Sequence, residues 1–331
     1  ALGSANEPLA QRGLARPLGR LKLHQGLMHY YQGNYSGAQQ LTDEGEPLAV
    51  ESGDVWGMAL AHRLAGCTLY DDNRYDEAEE RWNSALERFT MVEDWNSVAA
   101  CHVLLGNAAM LKANFSPAGK PRYRPPRPFF MERYPPDAGQ RDGVQTALTY
   151  FYQALRHYTM TDNLMGIATG WGLIGVARYM LRDYEAAVDG LYKAADIARH
   201  LDALGELAQY LTWLAWVRTW LGQANQARAD FHEALRLQLD IDAHKWLLDC
   251  LQKYSLFLWV TDREHDTPLL INAFVAQHPN TGARMRVVAE EWLKNISEYM
   301  QVDEGQEAVD DAIARGHQQT LAALVEALLS A

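Results

Sequence analysis

Apolar and small residues recur along most of the chain at spacings of three and four, the period of a helix, and no sustained strand-type alternation competes with them. The pattern is clearest between Leu64 and Ala85, where Gly66 lies in one predicted helix and Tyr75, Ala78, Trp82 and Ala85 in the next. The same skeleton returns at a fixed interval. With Gly66 as position 8 of a unit, Gly26, Gly66, Gly106, Gly175, Ala215 and Ser255 are equivalent, separated by steps of 40, 40, 69, 40 and 40 residues. Small residues there and at position 20 (Ala38, Ala78, Ala187, Ala227) let two helices approach closely. Bulk at position 17 (Tyr35, Tyr75, Phe115, Tyr184) and position 24 (Trp82, Phe151, Leu191, Phe231) fills the space between them. Each unit reads as two amphipathic helices of roughly 14 to 17 residues joined by a short turn. An acid ahead of each first helix (Asp54, Asp94, Asp162, Asp202, Asp242) suits an N-cap or the positive end of the helix dipole, and Ala59, Ala99, Ala168 and Ala208 follow in register.

The step of 69 opens one unit. Its first helix and turn run to Asn114, Phe115 and Ala118, and its second helix resumes with Ala147, Phe151 and Ala154. Between them, residues 119–143 carry six basic side chains against three acids, and seven of the twelve prolines fall at or near this stretch. Proline blocks helix continuation and favours extended backbone, so an arm or loop is expected. Insertions of this length in compact folds are usually functional or disordered. Its expected contact residues are Arg122, Arg124, Arg127, Phe129, Phe130 and Tyr134.

The small-large register resembles that of tetratricopeptide repeats, lengthened to 40 residues. The resemblance implies an all-α fold, a right-handed superhelical solenoid of about seven helix pairs. Residues 1–16 are then a tag remnant and lead, and 17–118 hold repeats 1 to 3 through the first helix of repeat 3. Residues 119–143 are the insertion, 144–243 complete repeat 3 and hold repeats 4 and 5, and 244–331 form degenerate repeats and a C-terminal cap. After Lys245 the register keeps Ser255 but places Glu264, Thr267 and Phe274 where Tyr, Ala and Ala stood, as expected of end repeats that cap a core. Positions 2, 5, 9, 12 and 13 of each first helix form the inner wall in this fold. By resemblance, a ligand or peptide groove is expected at Tyr30, Arg63, Tyr70, Asn107, Tyr179, Trp216, Trp220 and Trp259. In the alternative reading, half of these aromatics serve only to pack helices. Clamps that grip C-terminal carboxylates need Lys and Asn at these positions, and only Asn107 and Arg63 answer that requirement.

Composition narrows the partners. A chain of 331 residues with 48% hydrophobic and 22% charged residues has the make-up of a globular protein. A net charge of −12 argues against nucleic-acid binding through a broad basic surface and favours basic or neutral partners. Cys67, Cys101 and Cys250 are far apart and outside CxxC spacing, so neither a disulfide framework nor a zinc site is expected, and a reducing cytoplasm suits them. No apolar run of membrane-spanning length occurs. The leading Ala-Leu-Gly-Ser reads as a cloning remnant and the chain as a fragment of something longer.

Local chemical motifs dissolve into the repeat. Gly170, Gly172 and Gly175 spell GxGxxG, but inside a first helix, where the strand and turn that a dinucleotide site needs are missing. Arg122, Pro125 and Pro128 match an SH3-ligand pattern that Pro-rich loops produce readily. The Asn34, Asn114 and Asn295 sequons matter only in a secreted protein. His62 and His102 share a repeat position and are not spaced as metal ligands. No catalytic constellation, cofactor or metal is expected.

The 40-residue spacing, the acid-rich junctions and the ending from Gly305-Gln306-Glu307-Ala308 through Ala314-Arg315-Gly316 to Leu329 resemble the C-terminal sensor region of bacterial STAND regulators, the family of the maltose-operon activator. The resemblance implies a non-catalytic recognition domain of a signal-transduction or transcriptional regulator. It would bind a protein, a peptide or a small-molecule inducer in its concave groove, with no direct nucleic-acid or membrane contact; a homo-oligomer is compatible with it. The different-class alternative is a constitutive scaffold that docks partners through the Pro-rich arm.

Overall fold

The structure, a computed structural model, describes residues 13–114, 137–262 and 265–330. These residues form fifteen α-helices and no strand. Seven antiparallel pairs follow one another: α1 (Ala15–Tyr31) with α2 (Tyr35–Glu51), α3 (Val55–Asp71) with α4 (Tyr75–Met91), α5 (Trp95–Asn114) with α6 (Ala138–Met160), α7 (Leu164–Met180) with α8 (Tyr184–His200), α9 (Leu204–Trp220) with α10 (Ala224–Asp240), α11 (His244–Thr261) with α12 (Asp266–Gln277), and α13 (Ala283–Asp303) with α14 (Gln306–Gln318). A last helix, α15 (Leu321–Ser330), closes the chain. The fold is an all-α helical-repeat solenoid. Two compact units divide it, Ala1–Ala113 with Asp142–Ile167 (unit 1) and Asn114–Arg141 with Ala168–Ala331 (unit 2).

The 40-residue period is two identical halves. Helices α1 to α4 and α7 to α10 are each 17 residues long. The turns between them repeat one conformation, with a residue at positive φ at Gly33, Gly53, Asn73, Glu93, Asp162, Arg182, Asp202, Gly222 and Asp242. The residue after each donates its N–H five residues back, as in Asn34 to His29 (2.9 Å), Asp94 to Phe89 (3.0 Å) and Asp183 to Arg178 (3.0 Å). This closes the helix end by the C-terminal capping bond that a left-handed residue permits.

The acids expected as N-caps divide at the insertion. Asp54 and Asp94 do hold the cap position, and the Asp94 carboxylate accepts the Ser97 N–H at 3.1 Å. Asp162, Asp202 and Asp242 instead occupy the left-handed turn position one residue earlier. The cap of α7 is Asn163, whose side chain accepts the Gly166 N–H at 2.9 Å. Across the insertion the register runs from Asp94 to Asn163, so the acid slips by one.

Small residues face large ones as the pattern requires. A Cβ on Gly175 would stand 2.6 Å from Leu191 Cγ, and one on Gly26 2.8 Å from Leu64 Cδ2; Gly66 faces Trp82 and Gly106 faces Phe151 more closely still. Ala38, Ala78, Ala187 and Ala227 are fully buried, as are Ala59, Ala99, Ala168 and Ala208. Gly172, the middle glycine of the GxGxxG stretch, packs against the Tyr210 ring. The motif is helix packing. In unit 2, α12 is buried along Pro268–Val275 on all sides, with α14 and α13 packed against it, and α15 lies on α10. The span 119–143 ends inside helix, since α6 starts at Ala138.

Candidate functional site

The first helices of the pairs carry the expected groove residues, four in each unit. In unit 1, Tyr30, Arg63, Tyr70 and Asn107 are all half-buried. The tyrosines recur in one arrangement. Tyr30 packs on Tyr35 (5.6 Å between ring centroids) and Tyr70 on Tyr75 (5.4 Å), and in unit 2 Tyr179 packs on Tyr184 (6.0 Å). Each pair staples the end of a first helix to the start of the second, so part of the expected groove wall is spent inside the repeat. Burial, with Cys67 and Asp71 beside it, raises the Tyr30 hydroxyl well above its usual range. The Arg63 guanidinium stands 6.0 Å from the Phe89 ring centroid, and the Arg63 carbonyl accepts the Trp82 indole N–H at 3.1 Å.

Unit 2 gathers its aromatics into one body. Tyr179 of α7 lies 6.0 Å from Trp213 and 6.5 Å from Trp216 of α9, and Trp216 meets Trp220 edge-on at 5.2 Å and 87°. Edge-to-face geometry is what the ring quadrupole favours. The Lys253 ammonium of α11 sits 4.7 Å from the Trp213 ring centroid while paired with Asp249 at 2.5 Å. Trp216 and Trp259 are only 4% and 6% exposed, so in the free chain they pack between helices. Tyr179 and Trp220 remain half-exposed, and the Trp220 N–H is buried without a hydrogen-bond partner. Further along, a cavity of about 330 Å³ opens beside Trp259, lined by Asn295, Glu298, Tyr299, Val302 and Asp303 of α13. Several of these residues escape the expected groove list, Lys253 and the α13 residues Asn295, Glu298, Tyr299, Val302 and Asp303 among them. Tyr299 stands 40 residues after Trp259, one further step of the repeat.

Chemistry elsewhere is quiet. Burial pushes the Cys67 thiol up to about 11 and those of Cys101 and Cys250 to about 12, so all three are protonated at neutral pH and poor nucleophiles. Among the described residues no group of His, Cys, Asp or Glu is arranged to hold a metal. No described helix is long and apolar enough to cross a membrane. The expected insertion contacts, Arg122, Arg124, Arg127, Phe129, Phe130 and Tyr134, lie outside the described residues.

No family model and no curated protein matches the chain. Solved structures do. A Rap protein complexed with competence and sporulation factor superposes with a TM-score of 0.61 at 15% identity over 94% of this chain and 76% of its own. Aspartyl phosphate phosphatase F from Bacillus subtilis gives 0.59 at 14% identity, covering 94% and 74%. The apo form of RapI gives 0.58 at 14% identity, covering 87% and 99%. The chain shares their fold. At this identity the likeness reaches no further than the path of the helices, and the tetratricopeptide-like architecture is what it establishes.

Proposed function

We propose that the chain is a non-catalytic recognition domain that takes a peptide, or a peptide-like segment of a protein partner, on its first-helix face, as the sensor part of a larger signal-transduction or transcriptional regulator. The observation that carries this reading is the aromatic body of Tyr179, Trp213, Trp216 and Trp220, whose half-exposed members present rigid ring surface. Trp and Tyr anchor bound segments because they supply large contact area at little cost in rotamer freedom. A structure of the same fold has been solved with competence and sporulation factor bound, which supports a solenoid of this kind as a ligand-holding frame. The maltose-activator-like role rests on the C-terminal sequence resemblance, and a constitutive scaffold would use the same face without a change of state.

Peptides selected from a displayed random library against this chain test the proposal. Trp220→Ala and Tyr179→Ala each remove a half-exposed ring. Each is expected to weaken a selected peptide at least tenfold in calorimetric titration while the thermal unfolding midpoint stays within a few degrees. Unchanged affinity in both variants would overturn the proposal.

A further inference from the structure

The cavity beside Trp259 has a definite chemistry. Residues 295, 298, 299 and 302 fall on one face of α13, at the i, i+3, i+4 and i+7 spacing of a helix. Opposite them, Trp259 projects from α11. Its indole meets the Tyr299 ring at 5.6 Å and 63° and the Trp292 ring at 5.4 Å and 83°. The indole is therefore a fixed floor, while Tyr299 at 43% and Val302 at 84% exposure form an open wall.

Two features of this corner lack a partner. No described group accepts the Trp259 indole N–H, and that atom, unlike the indole N–H groups of Trp220 and Trp292, is not among the buried unpartnered ones, so it is open to the cavity's solvent. Glu298 and Asp303, both exposed and lining the cavity, form no ion pair among the described residues. Some other acids of unit 2 are engaged, Asp230 with Arg218, Asp262 with Arg228, Glu233 with Arg199 and Asp266 with Arg315, so what sets Glu298 and Asp303 apart is their place beside the aromatic cavity. Two carboxylates without ion pairs beside an aromatic cavity suit a cationic side chain, which gains from Coulomb attraction and lays its apolar stem on the rings. A volume of about 330 Å³ is at the small end for a ligand site and fits one long side chain rather than a cofactor. A net charge of −12 draws cationic partners to the chain as a whole.

We infer that this corner is a subsite for an Arg or Lys side chain of the bound peptide: the cation lies between Glu298 and Asp303, its alkyl stem runs along Tyr299 and Val302, and the Trp259 N–H is free to donate to a carbonyl of the peptide. The inference rests on the peptide-recognition reading and deepens it by naming the residue class recognised.

The test uses acetyl-Gly-Arg-Gly-amide and its citrulline counterpart, which keeps the shape and loses the charge, titrated into the chain at low salt and followed by tryptophan fluorescence and calorimetry. Saturable binding of the arginine peptide is expected, at least tenfold tighter than the citrulline peptide, weakened at least tenfold by the double change Glu298→Gln with Asp303→Asn, and weakened by 0.5 M salt. Both carboxylates are exposed, so that variant is expected to fold. Equal binding of the two peptides, undiminished binding to the variant, or no saturable binding at 10 mM would each overturn the inference. A library-selected peptide without Arg or Lys that binds the Tyr179 and Trp220 face and ignores the double variant would overturn the subsite alone and leave the broader reading standing.

Discussion

Trp82→Ala is expected to destabilise unit 1 by about 4 kcal/mol, the scale for emptying a fully buried aromatic site. Trp82 is 1% exposed, packs on Tyr70 at 5.5 Å, and donates its indole N–H to the Arg63 carbonyl. It also sits where the Cβ of any residue other than glycine at position 66 would go. The two sites are therefore coupled. Gly66→Ala alone is expected to cost about 2 kcal/mol, because overpacking a filled core forces neighbours off their rotamers. In the Trp82→Ala background the same methyl enters vacated space, and its cost is expected to fall below about 0.5 kcal/mol. Urea unfolding followed by circular dichroism gives the four values of the cycle. Additive effects would mean that the small-large pairing is not what holds this helix pair together.

The second large effect is a pH dependence. In unit 1, Trp95, His157 and His102 form a stack, with rings 5.4 Å apart at 2° and 5.7 Å apart at 7°, and Tyr150 lies 6.0 Å from His102. The Nδ1 atoms of both histidines are buried without a hydrogen-bond partner. Burial, and then the neighbouring His157, lowers His102 to about 4; burial and then Arg156 lower His157. Both groups are neutral when folded and take up protons near pH 6.5 when unfolded. The unfolded chain thus binds more protons between about pH 6.5 and 4, and stability is full above that window and falls as pH drops through it. For His102 the loss between pH 7 and pH 5 is about 2 kcal/mol. His62 in the same unit is lowered as well and adds in the same direction. Asp230 in unit 2 opposes the trend. Burial outweighs its Arg218 partner and raises it to about 6, so its contribution is present at low pH and lost as pH rises through 6. Replacing His102 by phenylalanine keeps the stack and is expected to flatten the slope between pH 5 and 7. An unchanged slope would mean that the stacked histidines do not set it.

How far the sequence foretold the fold depends on what kind of constraint each residue obeys. Gly66, Gly106, Gly175, Ala78 and Ala187 were legible because close helix approach tolerates few side chains there, and their spacing gave the pairs and the period. The turn geometry was hidden. Asn73, Glu93, Asp162, Arg182, Asp202 and Asp242 adopt positive φ without being glycine, because the packing of equal-length helices imposes the turn and the residue bears the strain. That also concealed the one-residue slip that makes Asn163, not Asp162, the cap of α7.

The candidate site was legible by position and not by exposure. Register places Tyr30, Tyr70 and Tyr179 on the first-helix face, yet each is stapled to a tyrosine of its own second helix. Trp216 and Trp259 share that face and are covered by neighbours, since a bulky indole where helices meet is buried whatever its repeat position. Tyr299 went unseen because small residues decay beyond Lys245, while the aromatic at position 12 persists. Spacing alone also cannot reveal that Glu298 and Asp303 stand without cationic partners, which depends on the neighbouring helices.

The claim that a peptide lies on the first-helix face is tested most directly by hydrogen exchange on the chain with and without a library-selected peptide. Protection is expected in the last turns of α7 and α9 and in α11 and α13, around Tyr179, Trp220, Trp259 and Tyr299, with α8 and α10 unchanged. Protection confined to the second helices α8, α10 and α12, or no selectable peptide at all, would contradict the account.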